Sequence, residues 1–95
     1  MFLHIADARY IEDYKVEVFF NNGRKGIADL SGISEKKAFA SLKDKSVFSA
    51  LKVDSELATI VWPDGLDLAP EYIYYKAFQG DPSLRQLFKS WGYIS

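Results

Sequence analysis

The sequence predicts an α+β domain: an antiparallel sheet built from two β-hairpins, with helices packed on one face and a C-terminal amphipathic helix. Three observations predict it. Tyr14-Lys15-Val16-Glu17-Val18-Phe19-Phe20 reads as a strand and runs into Asn21-Asn22-Gly23, a hairpin turn. Thr59-Ile60-Val61-Trp62 is β-branched and aromatic, and Pro63, which cannot donate a ladder hydrogen bond, ends it. Leu84, Leu87, Phe88 and Trp91 recur at helical spacing behind an Asp81-Pro82 start.

The elements follow in order. Phe2 to Ile11 is a first strand, bent or at a sheet edge, because Leu3, Ile5 and Ile11 share their alternating face with Asp7 and Arg9. Glu12-Asp13 is the polar pair of a tight turn. In the next strand Tyr14, Val16, Val18 and Phe20 take one face, with Lys15, Glu17 and Phe19 on the other. A two-residue loop at Asn22-Gly23 would set Val16 opposite Asp29. A three-residue loop with Gly23 left-handed sets Tyr14 opposite Leu30, Val16 opposite Ala28 and Lys15 opposite Asp29; it keeps like with like and is the register expected.

Ser31-Gly32-Ile33 breaks the strand, and Ser34 is placed to cap a helix beginning at Glu35 with Ala38, Phe39 and Leu42 on one face. Asp44 caps a second turn carrying Val47, Phe48 and Leu51. Lys52-Val53 and Ala58 to Trp62 flank a loop, Asp54 to Leu57, in a second hairpin. Asp64-Gly65 reverses the chain, and Pro70 fits the first position of a helix in which Leu68 and Ile73 form a hydrophobic staple; Asp67 is the alternative cap. Ile73 and Ala77 face inward there, joined by Tyr74 and Phe78. Gly80 ends that helix. Gly92 stops the last one, with Tyr93 and Ile94 folding back on its final turn.

Composition narrows function more by exclusion than by assignment. A net charge of -1 gives no basic excess for nucleic acid or an anionic membrane. The lysines at 36, 37, 43, 45 and 52 are interleaved with Glu35, Asp44 and Asp54 and read as a solvated face. No stretch is long enough to span a bilayer, and His4, Asp7 and Arg9 interrupt any signal-peptide core, so a cytoplasmic protein is expected; the absence of Cys suits that setting. Asp64, Asp67 and Glu71 could in principle offer hard oxygen ligands, but each has a local task as turn former, cap or dipole partner, so no metal and no cofactor are expected. His4 has no partner at ligand or general-base spacing, and no serine sits in a nucleophile elbow; no catalytic residue is assigned and no enzyme is expected. Tyr72, Tyr74 and Tyr75, with Trp62 nearby, form an aromatic group that cannot all point one way, so at least one tyrosine should be exposed. Trp62, Asp64, Asp67, Tyr72, Tyr74 and Tyr75 are thus the binding candidates. Leu84, Leu87, Phe88 and Trp91 are the self-association candidates, in a homodimer, unless their stripe docks on its own domain.

Tyr14 to Gly23, Asp29-Leu30, Phe39 to Asp44, Phe48 and, above all, Trp62-Pro63-Asp64-Gly65-Leu66-Asp67-Leu68-Ala69-Pro70-Glu71 resemble domain of unknown function family 2442, over roughly residues 5 to 77. The resemblance implies a small prokaryotic α+β domain over residues 1–78, similar in fold to the N-terminal domain of proteins that continue into a helix-turn-helix; residues 79–95 are then a helical extension on the domain or on a partner. After Phe78 only one amphipathic helix follows, too little for a DNA-reading pair, so nucleic acid is not the expected partner. No activity comes with the resemblance. The expected function is a non-enzymatic protein-interaction module; the alternative is a regulatory or antitoxin-like component binding a small partner protein encoded nearby, or nucleic acid, since the family is also similar to small proteins encoded beside a second one.

Overall fold

A computed structural model describes residues 2–94; Met1 and Ser95, the outer ends of the two expected segments, lie outside the described residues. Strands β1 (Ile5–Glu12), β2 (Lys15–Phe20) and β3 (Lys25–Asp29) form an antiparallel meander in the order β1-β2-β3. A short helix α1 (Lys45–Phe48) leads to a second antiparallel pair, β4 (Lys52–Asp54) and β5 (Thr59–Val61). Helices α2 (Pro70–Phe78) and α3 (Arg85–Ser90) complete the α+β fold. The strands therefore divide into a three-stranded and a two-stranded sheet. The pairs meet where the Ile5 amide donates to the Ala58 carbonyl at 2.9 Å.

The first hairpin adopts the three-residue register, with Val16 opposite Ala28 and Lys15 opposite Asp29. Gly23 takes φ +85° and its amide donates to the Phe20 carbonyl, which puts Val16, Val18, Phe20, Ala28 and Leu30 together in the core. The facing conflict in β1 is resolved by an extra residue between Ile5 and Asp7: the bulge reverses the phase, so Ile5 and then Ala8 and Tyr10 face inward while Asp7 and Arg9 face out. The turn that follows is centred on Asp13-Tyr14 rather than Glu12-Asp13, with Asp13 itself at φ +47°.

Ser34 is not a helix cap. Residues Ile33–Glu35 and Lys37–Lys43 form 3-10 turns behind a left-handed Gly32, and Leu42 alone of Ala38, Phe39 and Leu42 is fully buried. A kink at Phe39, with Lys36 extended before it, prevents a continuous α-helix. Asp44 does cap α1, accepting from the Ser46 amide at 2.9 Å.

Phe48 of α1 is the hub of the core. Its ring packs edge-on to Tyr14 (centroids 4.9 Å) and Tyr10 (6.1 Å) and lies 5.7 Å from Trp62. Helix α2 covers β3 on the same face, and Gly26 is what lets it approach: a Cβ there would lie 2.8 Å from the Phe78 ring and 3.4 Å from the Ala77 methyl. The opposite sheet face carries Lys15, Glu17, Phe19, Lys25, Ile27 and Asp29, and among the described residues no helix or strand packs over it.

Candidate functional site

The densest run of unusual residues, Trp62 to Tyr75, folds into a joint between β5 and α2. The Trp62 indole N-H donates to the Phe48 carbonyl at 2.9 Å, satisfying both groups inside the core. The Trp62 amide then donates to the Leu66 carbonyl and the Gly65 amide to the Trp62 carbonyl, with Gly65 at φ +87°. Asp64 is held inside this turn: one oxygen accepts from the Leu66 amide at 3.4 Å and the other from the Ser41 hydroxyl. Asp67 bridges back to Val61 through its backbone, so it is not the cap of α2; Ala69 occupies that position without a side-chain bond, and Pro70 stands at the start as expected. Leu68 and Ile73, at staple spacing, are both buried. The buried Thr59 hydroxyl donates to the Leu68 carbonyl, tying the return strand to β5. Among the described residues no three of the acids and His4 are grouped to hold a metal ion, and Asp64, Asp67 and Glu71 do not converge.

The three tyrosines of α2 separate by role. Tyr74 is 4% exposed, so it is a core residue; its hydroxyl accepts from Arg24 Nη1 at 3.3 Å and from Asn22 Nδ2 at 3.4 Å. Arg24 also pairs with Asp81 at 3.0 Å and lies 4.7 Å over the Phe78 ring. These contacts tie the β2–β3 turn to the start of the C-terminal segment. The Tyr74 hydroxyl and then Asp81 raise the Arg24 pKa, while Ser83 and then Arg24 hold the Asp81 carboxyl below its usual range.

Tyr72 and Tyr75 are half-buried, so none of the three is exposed as expected of at least one. Instead they meet Tyr93, which stacks on Tyr75 (centroids 5.0 Å) and sits edge-on to Tyr72 (5.9 Å). Tyr93 is delivered by the end of α3: the Gly92 amide donates to the Lys89 carbonyl and the Tyr93 amide to the Phe88 carbonyl, with Gly92 at φ +85°. Lys76 lies over both the Tyr72 and Tyr75 rings (5.7 and 5.8 Å), and Lys36 over Tyr72 (5.5 Å). Burial pushes the Tyr93 phenol pKa up, and Glu71 and Tyr72 add to it. Tyr93, Lys36 and Lys76 are not among the sequence candidates; Gly92 as a helix stop is the signal for Tyr93 and the i,i+4 spacing of Tyr72 and Lys76 on α2 the signal for Lys76, whereas nothing local announces Lys36.

The C-terminal stripe docks on its own domain. Phe88 is 1% exposed and contacts Tyr74, Tyr75 and Trp91; Leu84 and Trp91 are half-buried. Leu87, at 37% exposure, is the one of the four that faces outward. No described helix is long and apolar enough to cross a membrane.

Three comparisons with known proteins bear on this geometry. The family model described as Protein of unknown function (DUF2442) matches residues 5–79. No curated protein matches the chain. The fold is similar to that in a crystal structure of NE0471 from Nitrosomonas europaea ATCC 19718, described as a candidate DNA-binding protein, with TM-score 0.72 and 15% identity over 84% of this chain and 52% of that one. At that identity the likeness shows the fold alone, and this chain spans about half of that protein's length.

Proposed function

We propose that this chain, which belongs to the DUF2442 family, is a non-enzymatic protein-interaction module whose contact surface centres on Tyr72, Tyr75 and Tyr93. One observation supports the reading: three half-buried tyrosine rings, drawn from α2 and the turn after α3, lie together beside Lys36 and Lys76. Tyrosine offers a large amphipathic contact area for little lost side-chain freedom, which is why it is enriched at protein interfaces. Here the rings are already held by one another and by Phe88, so little ordering remains to oppose binding. The cytoplasm of a prokaryote is the setting we propose for it, and Leu87 the residue left for contact between copies.

Affinity purification of the tagged chain from its native cell tests the reading. A partner should be recovered with the wild-type chain and fall by about tenfold with Tyr72→Ala, a loss of about 1.4 kcal/mol, while circular dichroism shows the variant folded. Recovery that is unaffected by the substitution, or no saturable partner at all, refutes it.

A second reading, a regulatory or antitoxin-like component that binds a partner protein or nucleic acid, is favoured by the fold shared with NE0471. Charge opposes the nucleic-acid arm, because the chain carries -1 overall and Glu71 lies close enough to Tyr93 to raise its pKa. A gel shift at physiological salt that survives competition by heparin would reverse that preference.

A further inference from the structure

The β3 edge of the three-stranded sheet is open. The Leu30 amide donates to the Tyr14 carbonyl and the Phe20 amide to the Arg24 carbonyl, which fixes the phase of the ladder, so Gly26 and Ala28 of β3 spend their backbone groups on β2. By the alternation of an antiparallel ladder, the N-H and C=O groups of Lys25, Ile27 and Asp29 point away from it. No strand pairs with that side among the described residues. The opposite edge is protected differently: β1 is bulged at two places, takes the Ala58 carbonyl at Ile5, and has its Ala8 amide bonded to the Asp7 side chain. Edge β3 has neither bulge nor proline, and Ile27 at its centre is 51% exposed. Lys25 and Asp29 flank Ile27 on the same face.

We infer that β3, with α2 beside it, accepts an extended segment of a partner protein as a fourth, antiparallel strand, one that carries a basic residue, an apolar residue and an acidic residue at alternate positions. The apolar residue sits opposite Ile27, the acid opposite Lys25 and the base opposite Asp29, while the backbone groups of Lys25, Ile27 and Asp29 form the ladder. The inference rests on the interaction-module reading and adds a second surface to it, next to the first: Lys76, which lies over Tyr72 and Tyr75, is also within electrostatic reach of Asp29. Magnitudes decide against a second copy of the chain as occupant. The pattern Lys25-Gly26-Ile27-Ala28-Asp29 is self-complementary, but α2 packs directly on β3 at Gly26. Paired strands lie about 4.8 Å apart, whereas packed helices need about 8–10 Å between axes. Two copies joined edge to edge would drive their α2 helices together; a single extended strand does not.

Because its pattern already has the right order, the chain's own β3 supplies the probe. Acetyl-Arg-Lys-Gly-Ile-Ala-Asp-Leu-amide, the sequence of residues 24–30, is titrated to millimolar concentration against the ¹⁵N-labelled chain. Saturable shifts at the Lys25, Ile27 and Asp29 amides, weakened about tenfold by N-methylation of the probe's isoleucine or by exchange of its lysine and aspartate, are expected. No shift at those amides, or equal binding of all three peptides, overturns the inference. The same amides moving with protein concentration alone would assign the edge to self-pairing and also overturn it. In partner capture, Ile27→Pro removes an outward-pointing N-H that the ladder to β2 does not use and should abolish recovery while circular dichroism shows the variant folded, and Ile27→Ala, which keeps that N-H, should retain part of it. Recovery that survives Ile27→Pro but not Tyr72→Ala sinks the strand-addition reading and leaves the interaction module standing; a wild-type chain that captures nothing removes both.

Discussion

Replacing Gly26 with alanine tests the close approach of α2 to β3. The new methyl group would stand 2.8 Å and 3.1 Å from Cε1 and Cζ of Phe78 and 3.4 Å from the Ala77 methyl. The Phe78 ring has little room to yield, since it lies 5.9 Å from Phe20, 4.7 Å from Tyr74 and 4.7 Å beneath the Arg24 guanidinium. The Ala77 methyl moves only with the backbone of α2. Overpacking of this kind costs about 1–3 kcal/mol, and the reduced freedom of the unfolded chain returns about 0.5–1 kcal/mol. The balance spans about 0–2.5 kcal/mol, and the crowding of the Phe78 ring with the backbone-bound Ala77 methyl puts the variant in its upper part, a loss of about 1–2 kcal/mol. In a domain of this size that is a fall in melting temperature of roughly 5–15 °C, or about 0.5–1 M in the urea midpoint with the slope unchanged. Phe78→Leu should relieve part of the clash, so the double variant should be more stable than the sum of the singles predicts, by at least about 0.5 kcal/mol. A Gly26→Ala chain as stable as wild type, or strict additivity with Phe78→Leu, refutes the claim that Gly26 sets the distance between α2 and the sheet.

Other perturbations separate the remaining contacts. Trp62→Phe removes the indole N-H and leaves the Phe48 carbonyl without that donor, so urea denaturation should show a loss of about 1–3 kcal/mol. Phe88→Ala should cost about 3–5 kcal/mol, whereas Leu87→Ala on the outer side of α3 should cost under about 1 kcal/mol, a contrast that fails if α3 does not dock on its own domain. Asp13, Asp29, Asp44 and Asp81 are all held below the usual carboxylate range, chiefly by hydrogen bonds from Lys45, Ser31, Ser46 and Ser83. Their folded-state pKa values lie below the unfolded ones, so the folded chain binds fewer protons there: the stability they contribute is complete above about pH 4 and is lost as pH falls through the folded values. A melting temperature that stays flat from pH 5 to pH 2 contradicts this. Tyr93 has the opposite sense at the alkaline end. Its raised pKa favours the protonated phenol in the folded chain, so its contribution is full below about pH 10 and disappears as pH rises through the folded value, which tyrosine absorbance and near-ultraviolet dichroism can follow together.

Short-range chemistry explains most of what the sequence made legible. Gly23, Gly65 and Gly92 all take positive φ where turns or a helix end required it, Asp44 and Asp81 accept from amides two residues on, and Pro70 opens α2. The first hairpin's register could be read because the pairing of Lys15 with Asp29 and Val16 with Ala28 depends only on two adjacent strands. The β1 bulge was visible as a facing conflict between Ile5 and Asp7, but not as a bulge, since the residue that is extruded depends on the partner strand. The 3-10 turns of residues 33–43 are not legible: from Glu35 onward the apolar spacing at Ala38, Phe39 and Leu42 resembles a helical face, and the extended Lys36 between the turns has no sequence signature. The division of the strands into two sheets was equally hidden, because it is settled by long-range contact at Ile5 and Ala58. At the candidate site, Tyr72 and Tyr75 were legible, and Lys76 follows from them at i+4 and i+1 on the same helix, while Tyr93 and Lys36 reach the rings only through long-range packing, Tyr93 from the turn after α3 and Lys36 from the segment after β3.

The Trp62 to Tyr75 joint repeats a device used earlier in the chain. Around Asn21-Asn22-Gly23, Phe20 accepts from the Gly23 amide and donates to Arg24; around Pro63-Asp64-Gly65, Trp62 accepts from the Gly65 amide and donates to Leu66. Both glycines are left-handed, at φ +85° and +87°. Each turn reverses the chain at a buried aromatic residue, Phe20 in one and Trp62 in the other, whose backbone holds both ends of the turn. In the second turn the return is short, Leu66 to Leu68, and ends in the staple that launches α2. The direction of α2 is thus set by Trp62, and with it the placement of Tyr72, Tyr75 and Lys76 beside the β3 edge. The Asp64 carboxylate is engaged inside the joint, on Ser41 and Leu66, whereas Asp67 joins it only through its backbone bridge to Val61 and is itself exposed. The unusual residues of this segment therefore position the two surfaces proposed for binding, and substitution within the joint should weaken partner capture only as far as it displaces α2.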